Sequence, residues 1–447
     1  MNKMSNEIQI SEHFTAGKLI RFTFFPMISF LLSSLYCVFD GWFVSNFVSS
    51  TAFAAVTMST PFIMAFPAVG FMIGSGGNAL LAKVLGENNT ERAGSIMFQM
   101  LEICTVVGIL VTVLAQIMFR PYAVWQGAEG ALLDYTMEYG RIMLISVIFL
   151  ALLYAFQLFL VTVGQQKFVL LINIYTGVTN CLMDAVFIIV LKWGLTGAAL
   201  ASVISEATAC LIPLFYFLFS PNSIFRFRFA RPEIRVCLQA CGNGASEMIE
   251  NIAQGVIGIL YNFQLLNLAG EDGVASYGAV MNIWLIFSLL VIGFNEASVS
   301  VIAYHYGAED RKELKNLFRI CLRIMAVSSL VMFVLTELFA PEFADIFLEK
   351  GTPLIGLAIR AFRICGFSLL FMGVNYFATS FFTALNNGLV SGLLSAFTML
   401  FCPLVTVMLL PLVFSVDGIW ASISVTNLLG FLLSVAVFLW GRKKYGY

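Results

Sequence analysis

Four residues in the first long apolar stretch of this chain have the types and the spacing to handle a cation. Ser29, Ser33, Tyr36 and Asp40 follow one another at steps of four, three and four residues, so on a helix they share one face. The rest of the stretch is hydrocarbon, flanked by the aromatics Phe22, Phe24, Phe25, Trp42 and Phe43. A second stripe, Asn173, Thr176, Asn180 and Asp184, repeats the pattern. A carboxyl group on a helix in lipid is costly, and such groups are kept where an ion, a proton or a polar substrate is handled. Asp40 and Asp184 are therefore the leading candidates. Two nearby carboxylates in a low dielectric repel, so the pair should hold a proton or share a metal cation. The competing reading makes them hydrogen-bonding struts of a helix bundle.

The elements that carry these stripes are set by composition. The chain has 447 residues, 60% hydrophobic and only 11% charged, with a mean hydropathy of +0.93. A soluble domain carries about 25% charged residues. Apolar runs long enough to cross about 30 Å of hydrocarbon recur from end to end. A barrel's two-residue alternation is missing, so the fold class is an all-α polytopic membrane protein. A net charge of −1 gives no footprint for nucleic acid. The first seventeen residues lack the basic-then-apolar layout of a leader and read as a cytoplasmic tail. Of the nine cysteines, seven lie in apolar runs without CxxC spacing and read as free core thiols.

Breaks in the apolar runs predict twelve helices, near 18–45, 52–82, 93–119, 135–161, 167–191, 195–219, 240–268, 274–304, 314–339, 355–384, 387–412 and 417–441. Pro26, Pro61, Pro67, Pro213, Pro403 and Pro411 are candidate kinks. With these spans, eighteen Lys and Arg fall on one side and six on the other, which puts both termini in the cytoplasm. The halves repeat. Leu85–Asn89 parallels Tyr306–Asp310 at an offset of 221, Arg141, Tyr154 and Phe159 parallel Arg363, Tyr376 and Phe381 at 222, and Gly197–Ser202 parallels Gly418–Ser422. Six helices per half make the repeats parallel, related by a pseudo-two-fold axis along the membrane normal, with binding expected near the midplane between them. The organisation is a tail over 1–17, a lobe over 18–220, a basic linker over 221–239, a second lobe over 240–441 and a tail over 442–447.

In this order the motifs resemble the multidrug and toxic compound extrusion (MATE) transporters of prokaryotic type. The resemblance rests on Pro26; Tyr36 to Asp40 with Phe43-Val-Ser; Gly70 to Ala82 leading into Gly86; Asn180 to Asp184; Gly194 to Ser202; and Tyr304 to Asp310 in the second half. It implies two six-helix lobes alternating between inward and outward openings. It further implies antiport of Na+ or H+ against amphipathic, mostly cationic organic compounds. An acid on helix 1 and an Asn/Asp pair on helix 5 form that family's first-lobe cation site, completed by a hydroxyl on helix 6. The matching residues here are Asp40, Asn180, Asp184 and Ser202, where the family more often has Thr at the last position. Their oxygens form an oxygen-only shell suited to a hard cation such as Na+. Some members carry second-lobe acids on helices 7 and 10. Here helix 10 lacks one and Thr406 takes the repeat position of Asp184, which places coupling in the first lobe.

Other polar residues are candidates for a substrate cavity. Glu247 and Glu250 open helix 7, where an acid can attract a cationic substrate at the inner gate or simply favour the helix dipole. Asn295 and Glu296 in helix 8 are expected as a cavity-facing pair. Glu206 in helix 6 has no assigned role. Tyr36, Tyr139, Tyr154, Gln157 and Tyr376 are candidate lining residues, since aromatic faces hold organic cations. The expected partners are small organic cations or amphipathic substrates, Na+ or H+, and the lipid bilayer, with no cofactor beyond the coupling ion and a monomeric state.

Two other functions compete. An intramembrane aspartyl protease would use paired Asp residues, but the chain has no GxGD, HExxH or GxSxG and only two histidines, so no enzyme is expected. A lipid-linked sugar flippase of related fold would want deep cations for its anionic substrate. Arg141, Arg360 and Arg363 sit at outer helix ends, and the deep charges are acidic.

Overall fold

In a computed structural model, the residues described are 8–220, 225, 233–347 and 353–447, without the side chains of 35–38, 50, 271 and 353. Most of the basic linker, and Tyr36 as a cavity residue, therefore lie outside the described residues. The described chain is helical, with no strand. Eleven helices are long and apolar enough to cross a bilayer, and a twelfth crossing is a pair bent by 48°. We number them spans 1 to 12: Ala16–Phe47, Thr51–Gly86, Thr90–Trp125, Gly130–Thr162, Gln166–Val190 and Gly194–Phe219, then Ala245–Gly270, Asp272–Gly307, Arg311–Leu338, the bent pair Leu354–Gly366 and Leu369–Ala384, Gly388–Phe414 and Val416–Tyr445. The eight described cysteines are free.

Local chemistry explains the boundaries. The polar loops ending spans 2 and 8 work alike: Asn88 and Glu309 take left-handed φ of 59° and 56°. The next residues, Asn89 and Asp310, cap spans 3 and 9 by accepting from Arg92 N, and from Lys312 N and Glu313 N. The repeat seen in sequence is thus a repeated turn. The prolines act in two ways. Pro67 breaks span 2 and Pro411 starts a short helical turn, whereas Pro26, Pro61 and Pro213 ride inside continuous helices. Span 5 ends in a π-helical segment, Ala185–Val190, directly after Asp184, a distortion that periodicity does not reveal.

The lobes close on each other over the half of the molecule that carries the chain's ends. There the segment Ala68–Gly86 of span 2 packs along spans 7 and 8. Near the pseudo-two-fold axis Gly86 meets its own repeat counterpart, Gly307: a Cβ on Gly86 would come within 1.9 Å of Tyr304 O, and one on Gly307 within 1.9 Å of Lys83 O. On the same two spans Asn78 meets Ser300, one residue beyond its counterpart Val299, and the two are joined by Thr162. Asn78 Nδ2 donates to Ser300 Oγ (3.1 Å), Thr162 Oγ1 donates to Asn78 Oδ1 (2.6 Å), and the Ser300 and Thr162 hydroxyls lie 2.7 Å apart. The three groups can close a head-to-tail ring in a fully buried position. The segment before span 1 adds a tie to the second lobe: Phe14 N donates to Glu313 Oε1 (2.9 Å), His13 pairs with Glu313 (2.5 Å), and Asn316 donates to Phe14 O (2.8 Å).

Candidate ion and substrate sites

The first site lies inside the first lobe, in the half away from the termini. Span 1 presents Asp40 24 residues after its start at Ala16, span 5 presents Asn180 and Asp184 one turn apart, and span 6 presents Ser202 and Glu206 one turn apart. All five are buried, Asp184 completely. Asn180 Nδ2 donates to Ser202 Oγ (3.1 Å), and the Tyr139 hydroxyl donates to Asp40 Oδ2 at a long 3.5 Å. Asp40 interacts electrostatically with both Asp184 and Glu206. What stands out is the surplus of acceptors. Asp40 Oδ1, both Asp184 oxygens, Asn180 Oδ1 and Glu206 Oε2 are buried with no hydrogen-bond partner. Among the described residues no Lys or Arg forms an ion pair with any of these acids. Buried carboxyl oxygens without donors or counter-charges are poised for a hard cation or protons. Among the described residues, no three His, Cys, Asp or Glu side chains yet converge as a ready-made metal-ligand group.

The second lobe supplies an internal comparison. The repeat counterparts of Asp40, Asp184, Ser202 and Glu206 are Tyr261, Thr406, Ser422 and Thr426. Each acid is replaced by a hydroxyl, and the hydroxyls satisfy one another. Tyr261 Oη and Ser422 Oγ are 2.6 Å apart, Thr406 Oγ1 and Thr426 Oγ1 are 2.8 Å apart, and Thr406 also donates to Cys402 O (2.8 Å). None of these four side chains is left without a partner. One fold therefore holds the same constellation twice, once neutral and self-satisfied and once acidic and unsatisfied. The comparison also places Glu206 within the site. Its counterpart Thr426 contacts the counterpart of Asp184, and Glu206 follows Ser202 by one helical turn. That four-residue spacing was readable in the sequence, but the interaction of Glu206 with Asp40 was not.

A second polar cluster sits between the lobes, in the half nearer the termini. Glu247 and Glu250 of span 7 and Glu296 of span 8 interact with one another and with Tyr154 of span 4. Tyr376 of span 10 faces Glu250 and Glu247, and Ser395 Oγ donates to Glu250 Oε1 (2.8 Å). A small cavity of about 10 Å³ adjoins it, room for one water, lined by Pro26, Phe30, Tyr154, Gln157 and Glu296 among others. Tyr154 packs against Phe30 and Phe71 at 6.5 and 4.6 Å between ring centroids.

Two candidate residues point elsewhere than their neighbours. Glu296 lines this cavity, whereas Asn295 Nδ2 reaches Met325 Sδ (3.9 Å) inside the second lobe, in keeping with the turn of about 100° between neighbours on a helix. Tyr139 reaches Asp40 in the first-lobe site, apart from Tyr154 and Gln157.

The MatE family profile matches residues 26–186 and 247–409, most of both lobes. The chain belongs to the MatE family. Among curated relatives, the multidrug export protein MepA of Staphylococcus saprophyticus is 23% identical over 371 residues, covering 83% of this chain and 82% of that one. MepA of Staphylococcus aureus (strain MRSA252) is 21% identical over the same shares. Solved structures share the fold of this MatE-family chain. "Crystal structure of MATE in complex with MaL6" superposes with a TM-score of 0.90 at 21% identity, covering 98% of this chain and 97% of that one. A transporter from Pyrococcus furiosus, presented under the words "Reverse polarity of binding pocket suggests different function of a MOP superfamily transporter", also reaches 0.90 at 21% identity, covering 100% and 99%. The MatE-family member described here is accordingly a many-span membrane protein of a transporter family.

Proposed function

We propose that this transporter is a secondary antiporter that exports amphipathic, mostly cationic organic compounds in exchange for Na+ or H+, with both termini in the cytoplasm. The observation that carries the reading is the contrast between the lobes, an acidic constellation with orphaned oxygens against a neutral copy that satisfies itself. A bundle that needed only hydrogen bonds would use the neutral set in both places.

In this reading Asp40, Asn180, Asp184 and Ser202 hold the coupling ion, and Glu206 is a third acid that exchanges its own positive charge. Ions entering from outside neutralise the carboxyls and let span 1 repack around Pro26. Pro26 lies beside the interlobe cluster, so the same movement alters the substrate site. There Glu247, Glu250 and Glu296 supply negative charge and Tyr154 and Tyr376 supply aromatic faces, a combination suited to an organic cation. Alternation requires the contacts at the closed face, the Gly86–Gly307 pair and the Asn78–Thr162–Ser300 ring, to form and separate in each cycle.

The test is efflux of ethidium from proteoliposomes under an imposed Na+ gradient and, separately, an imposed H+ gradient, with Asp40→Asn alongside. Efflux driven by one ion and lost in the variant supports the reading and names the ion. Gradient-independent behaviour of the folded, inserted protein would sink it.

A further inference from the structure

A groove of about 470 Å³ opens on the outer surface of the second lobe, between spans 9 and 12, at the face where the chain ends. Its floor is apolar, with Phe318 and Leu322 of span 9, Val374 of span 10 and Phe438 of span 12. Its wall includes the exposed apolar side chain of Leu439. Its rim is cationic. Lys315 and Arg319 stand one turn apart on span 9, and Arg442 joins them from the last turn of span 12. Among the described residues none of the three forms an ion pair.

The cations are not a requirement of the fold. Span 9 carries Arg311, Lys315, Arg319 and Arg323 at four-residue steps, all on one helix face. The repeat counterparts in span 3, at an offset of 221, are Thr90, Gly94, Phe98 and Glu102, with no cation among them. Orientation in the membrane depends on the number of Lys and Arg near span ends, not on gathering three of them around one apolar groove. Nor does an apolar floor suit a soluble anion.

We propose that this groove binds an anionic diacyl phospholipid, with acyl chains on the Phe318–Leu322–Phe438 floor and the phosphate held by Lys315, Arg319 and Arg442. Arginine offers paired donors to phosphate oxygens, and cationic pockets between helices at the cytoplasmic side suit anionic headgroups. A zwitterionic headgroup brings its own ammonium against the three cations and is disfavoured. Occupied, the site ties span 9 to span 12 at the face where the lobes meet.

Native mass spectrometry tests this on the full chain, solubilised and offered equal amounts of phosphatidylglycerol and phosphatidylethanolamine with matched acyl chains. The wild-type chain should retain phosphatidylglycerol preferentially. The triple change Lys315→Gln, Arg319→Gln, Arg442→Gln should lower that retention roughly a hundredfold, each cation contributing about fivefold. An equal charge change outside the groove, Lys312→Gln with Lys443→Gln and Lys444→Gln, should leave it within a few-fold of wild type. Ala326→Trp, which fills the floor and removes no charge, should also lower it. All these positions except Lys315 are exposed, and monodisperse elution verifies folding. Undiminished retention in the groove triple, equal loss in the remote triple, or equal binding of both lipids by the wild type would overturn the proposal. Displacement of the lipid by millimolar inorganic phosphate would overturn the part assigned to the acyl chains.

Discussion

If Glu206 exchanges a charge during the cycle, removing its carboxyl should lower the number of coupled ions by one. Three buried acids with no cationic partner need one positive charge each to become neutral in a lipid-embedded lobe. Each acid that loads and unloads adds one ion to the exchange. At static head and zero membrane potential, the limiting substrate ratio equals the ion ratio raised to the number of ions exchanged. Under a tenfold ion gradient, Glu206→Gln should therefore lower the limiting ethidium ratio about tenfold, a driving force smaller by about 1.4 kcal/mol. Glu206→Asp keeps the charge and should keep the ratio. The assay is steady-state accumulation in proteoliposomes clamped with potassium and valinomycin, read beside Asp40→Asn, which should abolish coupling. A Glu206→Gln chain that transports with an unchanged limiting ratio would show that Glu206 is a packed neutral acid and refute the argument. Loss of wild-type transport would instead refute the antiporter reading itself.

Further outcomes follow from the same geometry. Ser202→Thr keeps the hydroxyl bonded to Asn180 and should retain coupling, whereas Ser202→Ala should raise the ion concentration for half-maximal transport several-fold, by about 1 kcal/mol. Asn78→Ala removes two of the three ring hydrogen bonds and leaves the Thr162 and Ser300 hydroxyls bonded only to each other, a cost of about 1–2 kcal/mol to the closed state. In a chain without other cysteines, Ser300→Cys should then label faster with a maleimide applied to the face bearing the termini. Gly86→Ala forces a backbone shift against Tyr304 and should slow transport without lowering expression. Gln substitutions at Glu247, Glu250 and Glu296 should weaken binding of cationic dyes more than neutral ones, measured by quenching of their fluorescence. Asp417→Ala removes a partly exposed ion pair with Arg360 and should change the melting temperature little, since such pairs contribute under about 1 kcal/mol.

The sequence by itself determined the architecture, because hydrocarbon is a severe solvent. A span in lipid must satisfy its backbone internally, so apolar length alone identifies the helices. The repeated loops identified the two halves, and the turns they encode proved identical in conformation at Asn88 and Glu309. Stripes at three- and four-residue steps placed Asn180 with Asp184 on one face of a single helix, because helical periodicity is local. Relations between helices were not local and needed the tertiary structure. Only packing shows that Tyr139 turns to Asp40, that Asn295 points away from the cavity, and that Asn78 meets Ser300 across the two lobes. The same holds for Glu206. Four residues after Ser202 it reads as one more polar group on a helix. The folded second lobe, where Thr426 and Thr406 satisfy each other in its place, reveals it as one member of an unsatisfied set. Hydrogen-bond satisfaction is a property of three-dimensional neighbours, and no spacing along the chain records it.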